Sequence, residues 1–568
     1  MNRNKKTIIY SFDIFDTCII RTCGSPENFL QLLSIRAFKE RPSENMRKLF
    51  LIDRQQAEHR ACQNNPHANI FDIYNHLEFS HNSLLTHEEL AQVEIDLQKE
   101  VARPVLHIQQ QIARLRQKGC KIVYISDMYL PKSVLREILT KYDFLHPSDL
   151  LYVSCDEGCT KANGELFRFI KEKECFDYRN WHHYGDNPNS DIKVPSLLGI
   201  HTHKVINSYS KAQHSWLFLP KVCEYNYTSI IAGISRSLTL STQKNNRNNL
   251  ILDLIAPLYC SFAYNIVYKA KQDGIKRLFF FSRDTAQLYQ AALRFQSLFP
   301  EIEMRYIRIS RDSIKNTPEK KLIEFFLQEG LACHDLHCAI VDSNSTGQTL
   351  FTINKLLHKN GYNSVNRYNI INYLTNNTYS YIYSDDKSYN PNHDYWLIDY
   401  TSSASTFIIP VIIEAVFSAN SQKKTIAYIN KEDKITPVFD SKNDDDYIEQ
   451  TTPKVVEQHQ TELLKQYADI FINHNLHHYS ESILHQIALP TLFQFIHSPH
   501  KDILQAIDGL SFIHQGTSKP IIEKQPFFKL LRLRGKNTLW PRGSVIFSLP
   551  KPLSNLFIKT RLKNNHLL

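Results

Sequence analysis

Glycine is scarce in this chain, 15 of 568 residues, which excludes collagen-like and glycine-rich low-complexity architectures. Long hydrophobic runs are missing too. None approaches the roughly 18 residues of a membrane helix, and the longest candidate, 407–417, is interrupted by Pro410 and Glu414, so it is expected to be a buried core segment. No disulfide framework is visible: the 11 cysteines are odd in number and scattered, as reduced thiols are. Cys155 and Cys159, and the run Cys333-His334 with His337-Cys338, invite a metal reading, but neither has a second ligand cluster at zinc-site spacing. Ordinary packing or surface thiols are expected there. The apolar run Ile8–Phe12 is too short for a secretory leader and has no small-residue cleavage site, so a cytoplasmic location is expected. Charge of one sign is not extreme: 67 Lys+Arg against 57 Asp+Glu leave +10. Much of that excess falls late, at 529–536 and 559–563, as a solvated basic tail or a contact for a phosphate-rich partner or a membrane surface.

What remains is an ordinary globular composition, 42% hydrophobic and 22% charged, long enough for two to four domains. Residues 1–225 alternate short apolar strands with helical stretches, the pattern of an α/β domain. Strands are expected at Ile8 to Phe15, Lys121 to Ile125, Leu150 to Val153 and ending at Tyr184. Between the first two, 26–105 reads as nearly continuous helix, within an insert at 22–105 of the kind that caps a core domain. Ser229 to Asn249 is polar and reads as a linker to a second α/β unit, 226–440, with strands at Arg277 to Phe281, Met304 to Ile309 and Ala339 to Val341. Residues 441–568 form a helical, basic C-terminal extension.

Four polar elements follow the strands of the first unit: Asp13-Ile14-Phe15-Asp16-Thr17, Ser126-Asp127-Met128-Tyr129-Leu130, Lys161, and Gly185-Asp186 running to Ser190-Asp191. Ligands of open α/β sheets bind outside the carboxyl ends of the strands. The set provides a nucleophilic carboxylate, a hydroxyl donor, a cation and further acids, which suits phosphoryl transfer supported by a hard cation. Order and spacing resemble the four motifs of the haloacid dehalogenase superfamily over residues 7–205. The resemblance implies a Rossmann-like core with a helical cap. It also implies Asp13 as nucleophile, Mg²⁺ near Asp13, the Phe15 carbonyl and Asp186 with Asp191 in support, and phosphate held by Ser126 and Lys161. One departure stands out: phosphatases of the superfamily carry a second Asp two residues after the nucleophile, and here that place is Phe15. Asp16 and Asp127 are the alternative acids. Arg54 and Glu58, one helical turn apart in the insert, read as a surface ion pair or a substrate-facing one.

In the second unit, Asp342-Ser343-Asn344-Ser345-Thr346-Gly347-Gln348-Thr349 runs from a strand through a hydroxyl-rich turn into a helix. Backbone N–H groups and hydroxyls at such a junction cradle phosphate. The stretch resembles the phosphoribosyl-pyrophosphate loop of phosphoribosyltransferases, with Val341 where that loop has its first acid. Ser282-Arg283-Asp284, Arg308 and Arg311 are further anion-binding candidates. Together the two units resemble bacterial two-module enzymes of surface-polysaccharide synthesis. That resemblance implies transfer of 5-phosphoribose from phosphoribosyl pyrophosphate to a sugar hydroxyl of a glycan acceptor, then removal of the 5-phosphate. It implies no nucleic-acid partner and a peripheral contact with membrane glycan-assembly machinery. The alternatives are a stand-alone phosphatase with a binding-only second unit, and a non-enzymatic scaffold.

Overall fold

The computed structural model describes residues 7–220, 225–243, 245–334, 336–345, 347–372, 394–399, 412, 422–440, 454–514, 517–524, 526 and 540–558. The chain divides into two compact units, Met1–Lys244 and Asn245–Leu568. Each is α/β, built on a five-stranded parallel sheet.

The first unit begins with β1 (Ile9–Phe12), then β2 (Ile19–Arg21). A helical insert follows and returns through β3 (Ala102–Pro104), which pairs antiparallel with β2. The insert is four helices, not one: α1 (Pro26–Arg36), α2 (Glu44–Asn64), α3 (Ile70–Asn75) and α4 (His87–Val101). Each starts at a polar cap, Ser25, Ser43, Asn69 and Thr86, whose side chain accepts orphan N–H groups of the first turn. The breaks therefore lie where the sequence has short polar residues competing with the helix backbone. The core resumes with β4 (Lys121–Ser126), β5 (Leu150–Val153), β6 (Trp181–Gly185) and β7 (His201–Lys204). The strand order is β5-β4-β1-β6-β7, so the direction of winding reverses between β1 and β6. That reversal opens a crevice at the carboxyl ends of these two strands.

The segment 229–249, expected as a linker, is largely helical. Tyr227–Ser241 is a buried helix of the first unit. Asn28 Nδ2 donates to Ser229 Oγ at 2.8 Å, and Arg236 Nε to the Asn207 carbonyl at 2.9 Å. Two of the polar residues that suggested a loop, Ser229 and Arg236, are spent on these side-chain bonds.

The second unit contains β8 (Arg277–Phe281), β9 (Glu303–Ile307), β10 (Cys338–Ser345), β11 (Asn366–Asn372) and β12 (Tyr395–Asp399), in the order β12-β11-β10-β8-β9. Here too the winding reverses, between β8 and β10. A hairpin of β13 (Thr425–Lys431) and β14 (Lys434–Phe439) packs Tyr428 on Phe325 with ring centroids 4.0 Å apart. Among the described residues one helical stretch, Asn246–Gln272, is long and apolar enough to cross a membrane, but 94% of its apolar window is buried inside the protein. Counting uninterrupted apolar runs misses it because Asp253 and Pro257 interrupt the sequence without ending the helix. Residues after 454 add helices to this same unit. Arg294 Nε meets Asp469 at 2.5 Å, and Ser480 Oγ donates to buried Asn265 at 2.6 Å. The acidic run 442–449, the core expected at 407–417 (Ile412 apart) and the basic segments 529–536 and 559–563 lie outside the described residues.

Candidate active site

Asp13 follows β1 directly and is nearly buried; its backbone N–H donates to the Tyr184 carbonyl on β6 at 2.8 Å, so both sides of the crevice locate it. Lys161 Nζ, itself buried, donates to Asp13 Oδ1 at 2.6 Å and to Asp191 Oδ1 at 2.7 Å. Asp186 follows β6, half-buried, with Thr17 Oγ1 3.4 Å from its Oδ1. Carboxylate oxygens of Asp13, Asp186 and Asp191 lie within 4.8 Å of one another. Ser126 ends β4 and is buried at the same edge of the sheet. The structure thus brings Asp13, Ser126, Lys161, Asp186 and Asp191, spread over 179 positions of sequence, to one end of one sheet.

The electrostatics follow from burial. Desolvation raises Asp13 to about 7, with Lys161 opposing and the charges of Asp191 and Asp186 adding to the rise. Asp186 is raised by burial first, then by Asp16 and Asp191. Asp191 goes the other way: burial works against ionisation, but hydrogen bonds from His183 and Lys161 hold it below the usual carboxylate range. Both Asp191 oxygens are engaged, Oδ1 by Lys161 and His183 and Oδ2 by the Asn187 N–H at 3.0 Å. Asp191 therefore supports the cluster, while Asp13 and Asp186 are crowded carboxylates pushed up by burial and by neighbouring negative charge. That donor set, hard oxygens with mutual repulsion to relieve, fits Mg²⁺.

A layer behind these residues escapes the sequence motifs. His183 is fully buried on β6, with Nδ1 2.7 Å from Ser11 Oγ and Nε2 3.2 Å from Asp191 Oδ1. Trp181 Nε1 donates to Ser11 Oγ at 2.7 Å, so the Ser11 proton is free to go to His183 Nδ1. That places the imidazole proton on Nε2, toward Asp191. Burial lowers the His183 pKa, in keeping with a neutral ring. The legible signal was period-2 alternation: Ser11 and His183 are polar residues at inward positions of buried strands, in register with each other. Gly185 has its own reason. A Cβ there would come within 2.3 Å of the Asp191 side chain, which folds back over it.

The alternative acids are both occupied. Asp16 sits at φ 57° and is salt-bridged to Arg21 and Arg236, each at 3.7 Å. The Arg21 guanidinium also lies 4.1 Å over the ring of Phe15, two residues after Asp13. Asp127 accepts the backbone N–H groups of Lys161 at 2.8 Å and Ala162 at 3.2 Å, so it anchors the loop that carries the lysine. Asp127 also borders a cavity of about 420 Å³ between insert and core, lined by Arg21, Phe29, Glu58, Gln98, Tyr129 and Thr160 among others. Arg54 is not the surface partner its spacing suggested. It is wholly buried, gives two hydrogen bonds to buried Glu94 at 3.0 and 2.9 Å, and reaches Glu58 with a third at 2.9 Å. Glu94 also accepts from Tyr74 and Tyr129, each at 2.6 Å.

In the second unit, β10 runs on through Ser345, so Asp342 lies inside the strand instead of at its tip, opposite Asn369 of β11. It is still level with the end of β8, because Val341 pairs with Phe280. Asp342 is pushed up to about 7, by burial first and then by the Asp284 charge, with Arg311 and Arg367 opposing. Asp284 lies three residues beyond the end of β8 and Asp342 within the adjacent strand β10, so both belong to the carboxyl side of this sheet. Ser282 is committed to β9, its N–H to Ile307 at 3.0 Å and its Oγ to Ile309 at 3.2 Å; Arg283 follows it, partly exposed. Arg308 is likewise engaged, by Gln422 at 2.6 Å. Gly347, at φ 78°, precedes the helix Gln348–Lys359, with Gln348 exposed and Thr349 half-buried in its first turn. Thr346 and the Ser345 side chain lie outside the described residues.

No family model matches the sequence, and no curated protein matches it. Among solved structures, the chain is similar to the HAD-hydrolase YfnB from Bacillus subtilis, solved bound to magnesium, at 17% identity and TM-score 0.28 over 36% of this chain and 92% of that one. It is similar to a HAD phosphatase from Thermococcus onnurineus at 15% identity and TM-score 0.28, covering 36% and 89%. L-2-haloacid dehalogenase from Xanthobacter autotrophicus gives 11% identity and TM-score 0.29, covering 39% and 86%.

Proposed function

We propose that the first unit is a Mg²⁺-dependent phosphohydrolase of haloacid dehalogenase type, working through an aspartyl-phosphate on Asp13. The observation that supports this most is Lys161 Nζ bridging Asp13 at 2.6 Å and Asp191 at 2.7 Å beside Asp186. Asp13 attacks phosphorus, the ester P–O bond breaks, and the leaving oxygen takes a proton from solvent water. Water then cleaves the acyl phosphate and regenerates the carboxylate. Lys161 neutralises charge at the attacking carboxylate and the transferring oxygens, with Ser126 a donor at the same edge. Mg²⁺, when bound by Asp13 and Asp186 with the Phe15 carbonyl, supplies further charge neutralisation on those oxygens.

The second unit, in this reading, takes phosphoribosyl pyrophosphate in the crevice of Asp284, Asp342 and the Gly347 turn. It transfers 5-phosphoribose to a sugar hydroxyl of a glycan, with release of pyrophosphate. The two steps are chemically complementary, since the phosphate left by the transfer is what the first unit removes. The assay is Mg²⁺-dependent phosphate release from ribose 5-phosphate beside consumption of phosphoribosyl pyrophosphate. Both activities are expected. Release without consumption selects a phosphatase with a binding-only second unit, and neither activity selects a scaffold.

A further inference from the structure

Outside both sites, the two cysteines that open the loop into β10 lie against each other. Cys333 Sγ is 3.6 Å from Cys338 Sγ, van der Waals contact for two sulfurs and about 1.6 Å longer than a disulfide bond. The two differ in access: Cys333 is partly exposed, whereas Cys338, the first residue of the central strand β10, is 2% exposed. The run's histidines do not complete a metal site. His334 lies against Tyr362 at 4.6 Å between ring centroids, and among the described residues only the Asp13 cluster brings three such ligands together. We infer that Cys333 and Cys338 form a dithiol that a low-molecular-weight disulfide oxidises to an intrachain disulfide, making the start of β10 a reversible modification site.

The roles within the pair follow from geometry and charge. Cys333 is the sulfur an external disulfide can reach. The contact with the Cys338 thiol lowers its pKa, and Arg277 acts in the same direction. Cys338 is raised by that same contact and by burial. The Cys333 thiolate attacks one sulfur of the external disulfide; that S–S bond breaks and one thiolate leaves. The departing thiolate takes up the Cys338 proton. The Cys338 thiolate then attacks the Cys333 sulfur of the mixed disulfide and expels the second thiolate, which takes up from solvent the proton Cys333 had released. One external disulfide is reduced to two thiols and two protein thiols become one disulfide, so atoms and electrons balance. The bond ties the loop after residue 331 to the strand that carries Asp342 four residues on.

The test treats the full-length protein with glutathione disulfide, alkylates the remaining thiols and maps peptides by mass spectrometry. The peptide holding both residues is expected to lose two hydrogens and to regain them with excess thiol. A Cys338→Ser variant should instead trap glutathione on Cys333, and Cys333→Ser should leave Cys338 unmodified. Exposed Cys62 and Cys175 serve as internal controls for unresolved adducts. A glutathione adduct that persists on Cys333 in the unmutated protein, or reaction at the controls with none at Cys333, overturns the inference.

Discussion

Lys161 shows how much a single side chain decides in the first unit. Its ammonium is buried between two carboxylates, and it takes the geometry of Asp13 with it. Asp13→Asn keeps the shape and removes the proposed nucleophile, so phosphate release should fall to background while the melting temperature is maintained or rises. Measured turnover equal to the parent would refute the assignment. His183→Leu leaves Ser11 and one bond of Asp191 unmatched in a dry interior, which should destabilise by about 1–3 kcal/mol and weaken Mg²⁺ binding in calorimetric titration; His183→Asn should restore part of both. Arg54→Ala strands Glu94, which is 0% exposed. Removing one partner of a buried pair costs about 3–5 kcal/mol, and a denaturant melt should show it. Asp342 provides the pH signature. Its folded pKa, about 7, stands above the ordinary carboxylate value of 3.8, so the native state keeps a proton that the unfolded chain releases. That stability is complete below about pH 4 and is lost as pH rises through about 7. Asp342→Asn should therefore flatten the decline of thermal stability over that window, and an unchanged slope would show that this carboxyl is not the cause.

At the scale of elements, the helix Tyr227–Ser241 matters more than its sequence suggests. Gly233 lets it approach the turn between β2 and α1 so closely that a Cβ would lie 2.4 Å from the Gly24 nitrogen and 2.6 Å from the Cys23 carbonyl carbon. Those are backbone atoms and cannot rotate away. Gly233→Val should destabilise the first unit by about 1–3 kcal/mol or more and raise hydrogen exchange in Tyr227–Ser241 and the start of the insert. Exchange confined to the mutated turn would argue against a packing role. The motif strands, by contrast, were legible from alternation and from the polar residues that end them. β10 was read short because Asp342, Ser343 and Asn344 have poor strand propensity, and its pairing with β11 overrides that preference.

At the scale of the whole molecule, two sheets each reverse their winding and each carry an acidic pair at the reversal, Asp13 with Asp186 and Asp284 with Asp342. If the two sites divide the chemistry, their defects separate. Asp13→Asn should accumulate a glycan product heavier by one phosphate. Asp342→Asn with Thr346→Ala should give no transfer but preserve phosphate release from a supplied phosphorylated product. Mass spectrometry of the acceptor distinguishes these outcomes, and loss of both steps in each folded variant would point to one shared site.

The sequence alone determined the α/β class and the strands of the first unit, which depend on local alternation specified by neighbours in the chain, and it offered Asp13, Ser126, Lys161, Asp186 and Asp191 as candidates through their resemblance to the superfamily motifs. Only the tertiary structure decided which groups share a charge environment. Arg54 left the surface because Glu94, 40 positions away, is buried beside it. Asp16 was taken by Arg21 and Arg236, Asp127 by the Lys161 loop, and His183 by Ser11 and Asp191. Burial and pairing are properties of what folds against a residue, and no reading of its own neighbourhood in sequence contains them.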